Sequence, residues 1–534
     1  MKKICAALLA LAIMASLVAC GSGGNDSAPS GAATGSGDAG AGGQDPSESV
    51  GALIASYAER ALGDMFDTWW DELSDWIYPT RSGYWYPGGG DMPWEAALMM
   101  SCVYTYWLMN GRLGMSDDIV SWHSFNREWE FLVQRLGDRM TQNAGLGPPS
   151  PAIDDSGWNA TYYMMIYDVT KNEDALQAAH DMIVNTIEAF KSAPYGAEDD
   201  SRDRSGANGL WYPMRPPSLG FLRAEENMND NRWKSLYAVG VISVALELLM
   251  MAAETDPAWK TTYSRLWEDV FGAYEWIEAN LLRATEATVD VAGESGSAAT
   301  LPRTFADGLQ NGGEYTIPAT VADNLYWTDY NENRTGAGGY WNELPVEKNG
   351  PTGASRGVLY IQEAGSFSFM GGAMAMAVCH ARVYALTGDE IYLNRAVRTV
   401  WALTDSKLHT RNGILVNDRD AWANGFFAGM YAREALTLPG VRAIDVDVLI
   451  NTGISAFENC RVVIAPGMDL GKADEAWYNG KAFYRAEWSG GDAWTKNADS
   501  NTQPTQIMTC GSTVNMIMAA AYAQRLREEG AIKQ

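Results

Sequence analysis

An all-α fold, an (α/α)6 barrel of six helical hairpins with long loops at one end, is predicted by three observations. Apolar residues recur at three- and four-residue steps over most of the body of the chain. Two distant stretches repeat one helix–turn–helix pattern. The gaps between helices are irregular and rich in Gly, Asn, Asp, Trp and Tyr, whereas stacked hairpins of a solenoid would be shorter and more regular. Six hairpins in one ring make residues 49–534 a single domain, although 534 residues could otherwise form two or three.

Before that body comes an export signal. Lys2 and Lys3 form a short basic region, and Ile4 to Ala19 is apolar but too short for a comfortable membrane span. The stretch ends Leu17-Val18-Ala19-Cys20-Gly21, which resembles a bacterial lipobox. The resemblance implies that Cys20 is diacylated and becomes the first mature residue, so that the protein sits at the bacterial cell envelope, lipid-anchored and facing outside the cytoplasm. Residues 1–19 are then the signal and 20–48 a tether. The tether is almost wholly Gly, Ser, Ala, Thr, Asp and Pro; it cannot bury a core, and as a random coil it reaches roughly 30 Å.

Helices are expected at 49–76, 93–110, 116–138, 155–169, 173–191, 229–254, 257–283, 366–387, 390–405, 420–437, 444–460 and 508–528. Leu176, Ala179, Ile183, Ile187 and Phe190 form one apolar stripe, and Leu393, Ala396, Val397, Val400 and Leu403 another. Asp256-Pro257 reads as an N-cap followed by proline at the first helical position. The repeated hairpin runs Tyr167-Asp-Val-Thr170-Lys-Asn172-Glu173 and Tyr384-Ala-Leu-Thr387-Gly-Asp389-Glu390, with leucine and alanine following at the same offsets. The longest gaps, 284–365 and 461–507, have the length of binding loops.

Composition narrows the chemistry. Lys+Arg number 39 against 66 Asp+Glu, a net charge of −27, which repels nucleic acid and anionic lipid; membrane contact is expected through the lipid anchor only. Trp 21 and Tyr 25 outnumber Phe 13, favouring rings with a polar handle that suit wet, sugar-like contacts. The histidines, His123, His180, His380 and His409, have no metal-ligand spacing. No serine-nucleophile elbow, phosphate-binding loop or dinucleotide fingerprint occurs. Asp329-Tyr-Asn331-Glu-Asn333 opens like a calcium loop, but Arg334 stands at the sixth position and Tyr340 at the twelfth, where glycine and glutamate belong. Cys102, Cys379, Cys460 and Cys510 match no zinc or redox motif. Neither metal nor organic cofactor is expected, and the protein is expected to act as a monomer.

Carboxylates remain. Asp154 and Asp155 directly precede an aromatic-rich helix. Neighbouring acids can place their carboxyl carbons about 5–6 Å apart, near the ~5–5.5 Å of retaining glycosidases and short of the ~6.5–9.5 Å of inverting ones. Two close anions also push one proton affinity up, separating an acid from a nucleophile. The competing reading is that Asp155 caps the helix and Asp154 adds to the field at its N-terminus. Gly209-Leu210-Trp211-Tyr212 and Gly338-Gly339-Tyr340-Trp341 set rings beside glycine, where they could stack on a pyranose or plug one end of the barrel. Trp158, Trp233 and Trp422 are further candidates.

The body resembles bacterial glycoside hydrolase family 76, endo-acting α-1,6-mannanases on an (α/α)6 barrel. Asp154-Asp155-Ser-Gly-Trp158, with its helix ending Tyr167-Asp-Val-Thr-Lys-Asn172, is similar to the family's DDxxWW helix and hairpin turn. Ala207-Asn208-Gly209-Leu210-Trp211-Tyr212 is similar to its GGGxWW loop. Phe369-Met370-Gly371-Gly372, leading to Tyr384-Ala-Leu-Thr387-Gly388-Asp389, and Phe427-Ala-Gly429-Met-Tyr-Ala-Arg433, like FKGxxxR, complete the match. The second tryptophan of the first motif is Asn159, the YNQG before the Gly-Gly helix is Ala364-Gly365-Ser366-Phe367, and the lysine of FKG is Ala428; of the three loop glycines Gly209 alone is kept, and the last Trp there is Tyr212.

The resemblance implies Asp154 as nucleophile and Asp155 as general acid/base of a retaining hydrolase cleaving internal α-mannosidic bonds, α-1,6 by expectation. Trp158, Trp211, Tyr212, Trp233, Tyr340, Trp341, Trp422 and Phe427 are the expected substrate-binding residues. Two rival functions fit the same chain: a non-catalytic glycan-binding surface lipoprotein, and a transglycosylase or unsaturated-uronide hydrolase on the same barrel. A uronide would call for a basic subsite, and no Arg or Lys cluster lies beside the acid pair in sequence.

Overall fold

The computed structural model describes residues 49–71, 76–77, 93–109, 153–190, 211–212, 233–280, 282, 287–291, 313–317, 329–331, 342–343, 358–361, 370–405, 410–415, 425–466, 479–485, 488 and 507–532. The signal, the tether with Cys20, the expected helix 116–138, and Tyr340, Trp341 and Trp422 lie outside them. Among the described residues eleven helices carry the fold: α1 Val50–Trp69, α2 Pro93–Met109, α3 Ile153–Thr170, α4 Glu173–Phe190, α5 Val239–Thr255, α6 Ser264–Asn280, α7 Met370–Thr387, α8 Glu390–Asp405, α9 Ala428–Met430 continuing as a π-helical turn Tyr431–Ala435, α10 Ala443–Cys460 and α11 Ile507–Glu528.

Two kinds of helix alternate along the chain. Helices α2, α3, α5, α7, α9 and α11 bury most of their described side chains, glycines and alanines included, while α1, α4, α6, α8 and α10 bury one face and leave much of the other exposed. The first kind packs in a closed circuit, α2 on α3, α3 on α5, α5 on α7, α7 on α9, α9 on α11 and α11 back on α2. The second kind lies outside it: α4 against α3 and α5, α6 against α5, α8 against α7, and α10 against α11. Helix α1 packs on α11 and α10, so the first and last helices close the ring. This is the (α/α)6 barrel read from the hairpins. The segment Leu236–Thr255 has the length and apolarity of a membrane span, and the ring accounts for both, because α5 is an inner helix buried over most of its length.

The two repeated hairpins are alike to the atom. Lys171 (φ 57°) and Gly388 (φ 69°) each end an inner helix in the left-handed region, their amides donating to the carbonyls of Tyr167 and Tyr384. Asn172 Oδ1 then accepts from the Asp174 amide (2.9 Å), and Asp389 Oδ1 from the Ile391 amide (3.1 Å), starting the outer helix. Asp256 is not the N-cap expected of it: it ends α5, and the next turn starts at Trp259 behind Ala258, with Pro257 outside the helix. Its carboxylate still accepts from the Thr262 hydroxyl and the Ala258 amide, which hold its proton affinity below the usual carboxylate range. The expected helix 257–283 is nevertheless interrupted: Trp259–Thr262 is a separate turn ahead of α6.

The strands were not foreseen. Strands β1 (Trp70–Asp71) and β2 (Trp76–Ile77) pair where the first helix was expected to continue to residue 76. Next come β3 (Trp211–Tyr212), β4 (Trp233–Ser235), β5 (Ala287–Val291), β6 (Gly313–Ile317), β7 (Asp329–Asn331), β8 (Asn342–Glu343) and β9 (Val358–Ile361). Five of them form an antiparallel sheet in the order β3-β4-β7-β9-β8, and β5 pairs with β6. Strand β4 and a 3-10 turn, Leu236–Ala238, replace the start of the expected helix 229–254, because Trp233 to Ser235 pair with Asn331 to Asp329. Asp329 to Asn331 are thereby the middle strand of a sheet, not a cation loop. Apart from 110–152, which joins the inner helices α2 and α3, the long connections run from an outer helix to the next inner one, while the connections 171–172 and 388–389 between inner and outer helices are short. These long connections therefore enter the described ring at the end where inner helices begin.

Candidate active site

Asp154 and Asp155 lie in the first turn of α3, at the loop-bearing end. The helix starts at Ile153, so both acids are inside it and Asp155 is not its cap. Their place puts them in the positive field of exposed helix N–H groups. Asp154 is 6% exposed and Asp155 half-buried. One acid is thus set into the wall and its neighbour is partly exposed.

Close backbone packing builds that wall. A Cβ placed on Gly157 would stand 2.8 Å from the Val241 nitrogen and 2.9 Å from the Gly240 carbonyl carbon, so α3 and α5 cross with nothing between them. Trp158, one turn beyond Asp154 on the same face, packs edge-on against Phe426 (4.2 Å between centroids) and tilted against Phe427 (5.6 Å). Trp158 and Phe427, expected to bind substrate, are 4% and 2% exposed, packed into the wall. Trp211, Tyr212 and Trp233 come together by strand pairing, Trp211 opposite Lys234 and Tyr212 opposite Trp233, and Trp233 is also opposite Asn331. That sheet leads straight into α5 through β4, which places it at the loop-bearing end.

Deeper in the ring a charged layer joins five inner helices. Arg382 on α7 is 1% exposed and meets Glu434 of α9 (2.7 Å), Glu247 of α5 (3.0 Å) and the Ser243 carbonyl (2.6 Å). Arg433 of α9 pairs with Glu434 and donates to Tyr104 Oη of α2 (2.7 Å), which in turn donates to Asp168 of α3 (2.6 Å). Burial acts to raise the Glu434 carboxyl, but Arg382 and Arg433 overcome it and hold it down at about 2. Sequence reading found Arg433 only as the end of a motif and missed the rest of the layer, which apart from Glu434 comes from four other helices. A second buried cluster, between α6, α7 and α8, sets His380 Nδ1 2.7 Å from Tyr274 Oη and His380 Nε2 3.7 Å from Glu278. Burial, then Arg398 and Arg395, keep this imidazole well below the usual histidine range, hence neutral.

Solved structures share this architecture. A family 76 α-1,6-mannanase from Salegentibacter sp. HEL1_6 is 12% identical, with a TM-score of 0.50 over 88% of this chain and 99% of its own. The fold is that of glycoside hydrolase family 76. An inactive variant of the same enzyme, with two adjacent aspartates changed to asparagine and α-1,6-mannotriose bound, superposes equally well, with a TM-score of 0.50. A family 76 mannosidase of Bacteroides thetaiotaomicron is 11% identical, with a TM-score of 0.51 over 89% of this chain and all of its own. No protein-family model matches the sequence, and no curated protein matches it.

Proposed function

We propose that the chain is a retaining glycoside hydrolase cutting internal α-mannosidic bonds, α-1,6 in the first instance, of a neutral mannan-like polysaccharide. The observation that carries this reading is the placement of Asp154 and Asp155, adjacent acids in the first turn of an inner helix, at the mouth of a barrel shared with α-1,6-mannanases. An adjacent aspartate pair is also what was replaced in the inactive mannotriose-bound neighbour. Asp154 attacks the anomeric carbon as the glycosidic bond breaks, and Asp155 gives its proton to the departing oxygen. Asp155 then takes a proton from water, whose oxygen displaces the Asp154 carboxylate with a second inversion. A neutral glycan needs no electrostatic steering, so the acidic surface is no obstacle. Lipid attachment at Cys20 would hold the enzyme at the cell envelope.

The test is digestion of a glycan panel, α-1,6-mannan included, by the protein without its signal, beside Asp154→Asn and Asp155→Asn. The parent releases oligosaccharides whose first-formed anomer is α by proton NMR; Asp154→Asn gives no turnover, and Asp155→Asn loses roughly 10²–10⁴-fold. Undiminished cleavage in both variants, or β anomer appearing first, overturns the mechanism; binding without cleavage in the parent overturns catalysis.

A further inference from the structure

The turn Gly425–Phe427, which carries two of the rings behind the acid pair, is held by one buried amide. Asn515 of α11 is wholly buried. Its Nδ2 lies 2.7 Å from the Gly425 carbonyl, 3.0 Å from the Phe426 carbonyl and 2.5 Å from Ser101 Oγ. Its Oδ1 accepts from Thr105 Oγ1 at 3.1 Å, and Ser101 Oγ lies 3.3 Å from the Phe426 carbonyl. From the other side, the Gly425 amide donates to Ser512 Oγ at 2.8 Å. A Cβ on Gly425 would overlap the Ser512 carbonyl, so the turn lies flush against α11. The demand on residue 515 is chemical. The Gly425 carbonyl also accepts from the Ala428 amide (3.1 Å) and the Thr105 hydroxyl also reaches the Ser101 carbonyl (2.8 Å), so what residue 515 adds is a side-chain donor from α11 to both turn carbonyls, which an amide supplies and a carboxylate or alkyl group does not.

We infer that Asn515 is a positioning residue for the acid pair. It fixes the turn; the turn fixes Phe426 and Phe427; and these rings fix Trp158, which stands one turn from Asp154 on the same helix face. The chain of contacts runs across the ring from α11 through α9 to α3 and tells the acid-bearing helix where the far wall is. This rests on the catalytic reading of Asp154 and Asp155.

The experiment compares the parent with Asn515→Ala and the near-isosteric Asn515→Asp, each labelled with 4-fluorotryptophan. The Trp158 fluorine resonance is assigned by its loss in Trp158→Phe. Both variants are expected to shift or broaden that resonance. Their kcat on α-1,6-mannan is expected to fall roughly 10- to 100-fold, as for a displacement of about 1 Å, with KM near the parent value. Asn515→Asp should be no better than Asn515→Ala, since a carboxylate cannot donate to the turn. If Asn515→Ala does not fold, Ser512→Ala, which frees only the Gly425 amide, is read the same way. An unmoved Trp158 resonance overturns the inference, and so does a parental kcat in the variants. A parent that cleaves nothing overturns the catalytic reading instead. The two failures are distinguishable because the fluorine spectrum reports the Asn515–Trp158 coupling without turnover.

Discussion

Gly157 shows how a single hydrogen in place of a methyl sets the geometry behind an acid pair. Its α-carbon faces the backbone of Gly240 and Val241, atoms that cannot rotate away. Gly157→Ala should cost about 1–3 kcal/mol by overpacking and lower kcat, because relief requires α3, and Asp154 with it, to move off α5. Urea unfolding measures the first effect and mannan digestion the second; parental values in both would mean that the helices part freely. Asp154 and Asp155 were legible because two adjacent acids before an aromatic helix are a local pattern. The burial of Trp158 was not. Its packing depends on Phe426 and Phe427, placed by a turn whose anchor, Asn515, lies on the last helix of the chain.

Helices reveal themselves over several turns, and most of the described ones lie where their apolar repeats were read, although which are inner and which outer appears only in the packing. Strands of two to five residues have no room for a period, so the five-stranded sheet was invisible, and Trp233 to Ser235 were absorbed into a neighbouring helix. Pairing between α7 and its neighbours has a consequence for acid stability. His380 is neutral in the folded protein, so below about 6.5, its ordinary value, the unfolded chain takes up a proton that the fold refuses. Glu434 keeps its charge in the fold down to about 2. Below about 4.5, its ordinary value, the unfolded chain gains that proton as well, and the ion pairs with Arg382 and Arg433 are lost on the way to pH 2. Unfolding free energy from urea titrations should thus fall steadily from pH 7 to pH 4, and His380→Asn should flatten the portion between about 6.5 and 5. A slope equal to the parent's in that variant would exclude His380 as its source.

At the scale of the molecule, the hairpin repeat made the ring legible, while its closure depends on α1 meeting α11, a contact between opposite ends of the sequence. The four body cysteines report on that closure. All four are buried and none forms a disulfide, and burial pushes the Cys379 thiol up to about 12 and Cys102 higher still. In protein lacking residues 1–48, Ellman's reagent should find no reactive thiol until the barrel opens, and labelling should keep pace with loss of helix by circular dichroism. Fast labelling of any of the four would show that a hairpin opens on its own. Gly51 meets Glu528, the last residue of α11, whereas Asp154 lies at the end where α11 begins. Twenty-two residues of α11, roughly 33 Å of helix, separate the two levels. The chain therefore enters the ring on the side opposite the acid pair. If Cys20 carries the anchor proposed above, the molecule turns its back to the surface that holds it and its mouth to whatever polymer drifts past.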